Sequence, residues 1–291
     1  MHRGLGLGLI GALFLAAPPA VVANEKISIG NEGRRINLAG RQRMLSQRIA
    51  KSACVSLQNV KRDHHLKQLS AAAALFAETL DGLYGGSTSQ KLAPATDATV
   101  KKQLEIVQGL WSGYDMEIQN FIKSPELPSG LGAMTDLARK SIPILNEMDY
   151  AVALMENVGK TRAYDPGLAN AINVSGRQRM LSQRMTKEYC LIYAGIDRAV
   201  NYAFIRGTVA LFNSSKLELL SGLSSLKLDA PQRRALIEEY ETVTRIWTRF
   251  SGPILQAVNG GAPTLEGLKR VATENEPLLK SLNRIVYLYE R

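Results

Sequence analysis

Two arginines, Arg43 and Arg179, stand in nearly the same setting. "INLAGRQRMLSQRIAKSAC" runs from Ile36 to Cys54 and "INVSGRQRMLSQRMTKEYC" from Ile172 to Cys190, and thirteen of nineteen residues recur at a constant offset of 136. A guanidinium presents coplanar N–H donors that can meet two oxygens of a planar anion at once, which a lysine ammonium cannot do. On a helix, eleven residues make close to three turns, so Arg43, Gln47, Ala50 and Cys54 share one strip, and Arg179, Gln183, Thr186 and Cys190 share its counterpart. Two guanidiniums held about 6 Å apart at an effective dielectric near 20 repel by roughly 3 kcal/mol, and an anion between them reverses the sign. Arg43 and Arg179 are therefore the candidate ligand-binding residues, with Gln47 and Gln183 beside them as orienting groups. Two other uses of the strip stay open: arginines paired with acidic side chains or carbonyls, and a surface for protein contact.

Cys54 and Cys190 end the two boxes and are the chain's two cysteines. If the first helices of the two halves run parallel, what brings Arg43 to Arg179 also brings Cys54 to Cys190. An oxidising compartment then allows a bridge, while a pair of small buried apolar residues is the rival reading. Other chemical signals are weak. His64-His65 has no copy at the offset and no ligand set at metal spacing, so no metal site is expected and a surface turn is. Val158–Thr161 ends in Gly-Lys-Thr, but Leu154 stands where a phosphate loop needs its first glycine. Asn173-Val174-Ser175 is a glycosylation triplet inside a helical pattern and is set aside. No nucleophile set appears twice, so neither enzyme activity nor a cofactor is expected.

The box needs helices to hold it. From Leu38, the positions Leu45, Ile49, Ser56 and Val60 form one apolar stripe, matched by Val174, Leu181, Met185, Ile192 and Ile196. The repetition extends beyond it: Leu75-Phe76 recurs as Leu211-Phe212 and Trp111 as Trp247 at 136, and Pro143 as Pro277 after a slip of two. Breakers fall near 86–95, 124–130, 162–167, 222–231 and 259–264, and the segments between them show three-and-four apolar spacing. The expected fold is all-α: two tandem antiparallel four-helix bundles related by internal duplication, with Trp111 and Trp247 as core anchors and the last helix of each bent at its proline. The expected division is a leader at 1–23, repeat one at 24–161 and repeat two at 166–291, joined through Tyr164-Asp165-Pro166-Gly167.

The leader is expected because Arg3 precedes the apolar Gly4–Ala17 run, which is shorter than the roughly 20 residues a membrane span needs. A cleavable secretory signal and a periplasmic location follow, with an uncleaved anchor as the alternative. The net charge of +10 is spread along the chain, with acidic residues between and no aromatic interleaving, which argues against nucleic acid as a partner.

"INLAGRQRML" and "INVSGRQRML" resemble the ligand-box helix of the PilJ-type domain, the N-terminal domain of type IV pilus methyl-accepting chemotaxis transducers, and of the related NarX-type nitrate/nitrite sensor domain. The resemblance implies a periplasmic four-helix bundle whose first helices pair about a two-fold axis with a small oxyanion, nitrate or nitrite first, held by arginine. The family's ligand arginine maps onto Arg43 and Arg179. Arg41 and Arg177 depart from the nitrate sensors, which have a small polar residue there. A homodimer's site fused into one chain is one reason for the duplication, a homodimer of the whole chain stays open, and a membrane sensor or chemoreceptor is the implied partner. The alternative is a non-catalytic structural or interaction protein of the envelope or pilus system, with no small ligand.

Overall fold

The computed structural model describes residues 20–160 and 166–290, with side chains from 33 to 158 and from 166 to 290. The apolar run of the expected leader and the linker residues 161–165 lie outside the described residues. Eight helices follow in order: α1 (Ala20–Leu57), α2 (Arg62–Gly85), α3 (Ala98–Lys123), α4 (Gly130–Lys160), α5 (Pro166–Tyr193), α6 (Arg198–Gly222), α7 (Ala230–Val258) and α8 (Leu265–Tyr289). The chain is two tandem all-α bundles, α1–α4 and α5–α8. None of these helices is long and apolar enough to cross a membrane.

Local chemistry sets the helix ends. Asp97 and Asp229 cap α3 and α7 by accepting the backbone N–H groups of Val100 and Gln232, and Thr264 does the same for α8. Pro166 and Gly167, expected in the linker, instead open α5, where a missing N–H costs nothing because the first turn has no partner for it. The breaks at 58–61 and 194–197 had no proline to mark them. There the chain reverses through left-handed residues at matching positions, Asn59 (φ 58°) and Lys61 (φ 43°) against Gly195 (φ 79°) and Asp197 (φ 41°). The helices α4 and α8 run continuously through Pro143 and Pro277.

Within each bundle the first helix packs on the second and fourth, and the third on the fourth. The most extensive helix pairing joins the bundles: α1 lies along α5. These two helices are consequently buried nearly all round, and their apolar residues merge both bundles into one core. Phe76 stacks on Trp111 at 4.2 Å and Phe212 on Trp247 at 4.4 Å, a pseudo-symmetric pair of aromatic anchors, each tryptophan half-buried.

Candidate functional site

The strip that carries Arg43 and Arg179 faces the α1/α5 seam. Cys54 and Cys190 form a disulfide there, with Cα atoms 6.1 Å apart. Three turns back along the helices, Arg43 Nη2 donates to Asn173 Oδ1 at 2.7 Å, and Arg179 Nη2 donates to Asn37 Oδ1 at 2.7 Å. Each arginine thus reaches across to the other repeat, and the rising register from one end to the other makes α1 and α5 parallel. Arg43 and Arg179 are 1% and 3% exposed.

Gly40 and Gly176 explain how two cations come so close. A Cβ on Gly40 would sit 3.2 Å from Arg43 Nη2 and 3.8 Å from Arg179 Nη2, and one on Gly176 would sit 3.2 Å from Arg179 Nη2 and 3.7 Å from Arg43 Nη2. The two Nη2 atoms therefore lie no farther apart than the sum of either pair of distances. The space each glycine leaves is the space the guanidiniums use.

The two arginines differ in their remaining partner. Arg43 Nη1 donates to Asp149 Oδ1 at 2.5 Å, an ion pair with a half-exposed carboxylate. Arg179 Nη1 meets Asn283 Oδ1 at 3.4 Å, an amide at the edge of hydrogen-bond range. Among the described residues, no carboxylate lies within ion-pair distance of Arg179. Burial works against both charges: Asp149 opposes that for Arg43, whereas the Arg43 charge adds to it for Arg179, which is pushed down to about 9 and still stays charged at neutral pH. The Nε of each arginine is buried without a partner.

Gln47 and Gln183 lie on the seam one turn beyond the arginines, and neither donates to or accepts from a guanidinium. Gln47 Nε2 donates to the Ser141 carbonyl at 3.0 Å, and its Oε1 accepts from Lys187 Nζ at 2.6 Å; Gln183 Nε2 reaches only Ser182 Oγ at 3.3 Å. The orienting of Arg43 and Arg179 falls instead to Asn173 and Asn37, which the sequence reading passed over although both follow an isoleucine at the start of the repeated box. In the sequence Asn173 stands out only as the first residue of a glycosylation triplet.

A second missed layer contains two fully buried lysines at the same offset. Lys51 Nζ donates to Asn275 Oδ1 (3.2 Å) and Glu276 Oε1 (3.0 Å) of α8, while Lys187 Nζ donates to Gln47 and to Ser141 Oγ (3.1 Å) of α4. Burial pushes Lys51 down to about 8, with Glu276 opposing, and Lys187 down to about 7, with Glu188 opposing. Burial pushes the Glu188 carboxyl up, although Arg184 donates to it at 2.7 Å. Arg48 pairs with Glu276 at 2.8 Å, so Arg48 and Arg184, at the same offset of 136, are both salt-bridged.

The histidine pair departs from the surface turn expected for it. It lies in the first turn of α2, with His64 exposed and His65 2% exposed, and burial pushes the His65 imidazole down to about 3. Among the described residues, no three His, Cys, Asp or Glu side chains form a metal-binding group.

The family model PilJ, described as "Type IV pili methyl-accepting chemotaxis transducer N-term", matches residues 28–137 and again residues 163–272. No curated protein and no solved structure matches the chain.

Proposed function

We propose a function from one premise: the chain belongs to the PilJ family of type IV pilus chemotaxis transducer N-terminal domains, and carries that domain twice. Domains of this family are non-catalytic sensor modules in a chemosensory, membrane-receptor context. Our reading is that the protein acts in the periplasm as a sensor-type binding module for a small planar oxyanion, nitrate or nitrite, held between α1 and α5. It passes occupancy to a separate membrane chemoreceptor.

The observation that supports this reading is the state of Arg179. It is a buried cation facing a second buried cation, and an amide stands where its pseudo-symmetric partner has a carboxylate. An unpaired buried charge is expensive, and an anion at this point would offset both the burial and the repulsion. The coplanar N–H groups of the two guanidiniums suit a trigonal oxyanion better than a spherical halide.

One observation favours a second reading, a ligand-free structural seam: Arg43 is already paired with Asp149 and capped by Asn173. A thermal-shift comparison separates the two. Under the sensor reading nitrate or nitrite raises the melting temperature more than chloride or sulfate at equal ionic strength, and Arg179→Gln removes the difference. An anion-independent melting temperature in the wild-type protein would leave the structural seam.

A further inference from the structure

Beside the arginine pair a cleft of about 730 Å³ opens between α1, α2 and α8, with Arg179 of α5 in its wall. Five basic side chains line it, Arg41, Arg48, Lys67, Arg179 and Lys280, against one carboxylate, Glu276. That carboxylate is already engaged by Arg48 and Lys51. The rest of the wall is largely apolar, from Met44, Leu45, Ala72, Leu75 and Leu279.

Three of the lining guanidiniums each keep a buried N–H without a partner: Arg41 Nε, Arg48 Nη1 and Arg179 Nε. Arg179 is itself 97% buried by its 3% exposure, so its donor belongs to the interior and not to the solvated rim. Buried donors left unmet are costly and uncommon. Those three atoms are closed to water and lie behind the wall, whereas the surplus positive charge and the apolar residues line the cleft itself and suit an anion that has a hydrophobic body. A cleft of this size falls in the range of small-molecule sites and is far larger than nitrate requires.

We infer that this cleft binds a small organic carboxylate, its head on the arginines and its alkyl or aromatic body against Met44, Leu75 and Leu279. The inference rests on Arg179 as an anion donor and goes further in naming a class of ligand and the surface that selects it. Arg41 and Arg48 act as additional donors to the carboxylate head. Ala71, exposed on α2 and part of the wall, marks the entrance.

Calorimetric titration of the purified protein with hexanoate, acetate, hexanamide, hexylamine and nitrate tests it. Hexanoate is expected to bind at least tenfold more tightly than acetate or hexanamide, with hexylamine inert. Ala71→Trp, which fills the entrance, and Arg48→Gln, which removes a donor, should each weaken hexanoate at least tenfold, and Ala71→Trp should leave any nitrate response intact. Equal affinity for acetate and hexanoate would remove the apolar wall from the account, and equal affinity for hexanamide would remove the charge; either overturns the inference. Nitrate binding without hexanoate binding overturns it while the oxyanion reading survives. Hexanoate binding without nitrate binding upholds the cleft and removes the small oxyanion. No binding of either removes both.

Discussion

Asp149 on α4 and Asn283 on α8 hold the same place in the two repeats, each facing Nη1 of its own repeat's arginine, and only Asp149 carries a charge. The duplication has produced a site with pseudo-symmetric geometry and unequal electrostatics. Arg43 is held by an ion pair, and Arg179 is left with amides.

That inequality predicts the behaviour of Asp149→Asn. Loss of the pair leaves Arg43 as a second unmatched buried cation. The stability cost is expected at about 1–2 kcal/mol, below the range for a fully buried pair because Asp149 is half exposed. Chemical denaturation measures that cost, and repeating it in nitrate should recover more stability in the variant than in the wild-type protein.

The repeated box made Arg43, Arg179, Cys54 and Cys190 legible as one face, because an exact offset carries helical phase with it. The asymmetry was harder to see. It lies where the repeats have slipped by two residues, so Asp149 and Asn283 align only through Pro143 and Pro277. Lys51 and Lys187 were in view within the box, but a lysine in an amphipathic pattern reads as solvated. Only the packing of α1 along α5 buries them, by leaving neither helix a free face. The left-handed turns at Asn59 and Gly195 escaped for a different reason: two left-handed residues two positions apart make each of them, Asn59 with Lys61 and Gly195 with Asp197, without a Gly or Pro cluster.

The disulfide ties the two bundles at the far end of the seam from the arginine layer. It spans 136 positions, and the chain-entropy argument gives about 5 kcal/mol as its upper contribution. Cys54→Ala together with Cys190→Ala should lower the melting temperature by roughly 5–15 °C. Scanning calorimetry of the variant, beside wild-type protein with and without reductant, checks this; reduction should match the double variant.

The buried lysines predict a pH dependence. A lysine pushed down from 10.5 to about 7 (Lys187) or about 8 (Lys51) binds its proton less well in the folded chain than in the unfolded one. Between those values and 10.5 the unfolded chain holds more protons, so stability rises with pH. The melting temperature is expected to climb from about pH 7 toward pH 10.5, and Lys187→Met should flatten the climb. A wild-type profile that falls over this window would contradict the burial of these amines.

The acid side adds a second window of the same sign, opened for His65 by the same burial of a cationic form. His65 stays neutral in the fold, pushed down from 6.5 to about 3, and Glu276 stays charged, held at about 2 by Lys51 and Arg48 against the upward push of burial. Stability should be lost as pH falls below 6.5 through His65, and below 4.5 through Glu276. His65→Gln should remove the first part of that loss in an equilibrium unfolding series, leaving the second.

Gly176 predicts a steric effect on the same site. Alanine gains about 1 kcal/mol in helix propensity, but its Cβ would press at 3.2 Å on Arg179 Nη2, which Asn37 already fixes. Gly176→Ala is expected to weaken the nitrate response at least fivefold while far-ultraviolet circular dichroism stays unchanged.

Asn283→Asp supplies Arg179 with the carboxylate that Arg43 already has, and a nitrate titration of this variant followed by thermal shift tests the anion site most directly. The account predicts that the variant melts higher than the wild-type protein without anion and no longer responds to nitrate or nitrite, because the added carboxylate takes the anion's place. A variant that responds to nitrate as strongly as the wild-type protein would contradict the assignment of Arg179 as the anion-binding arginine.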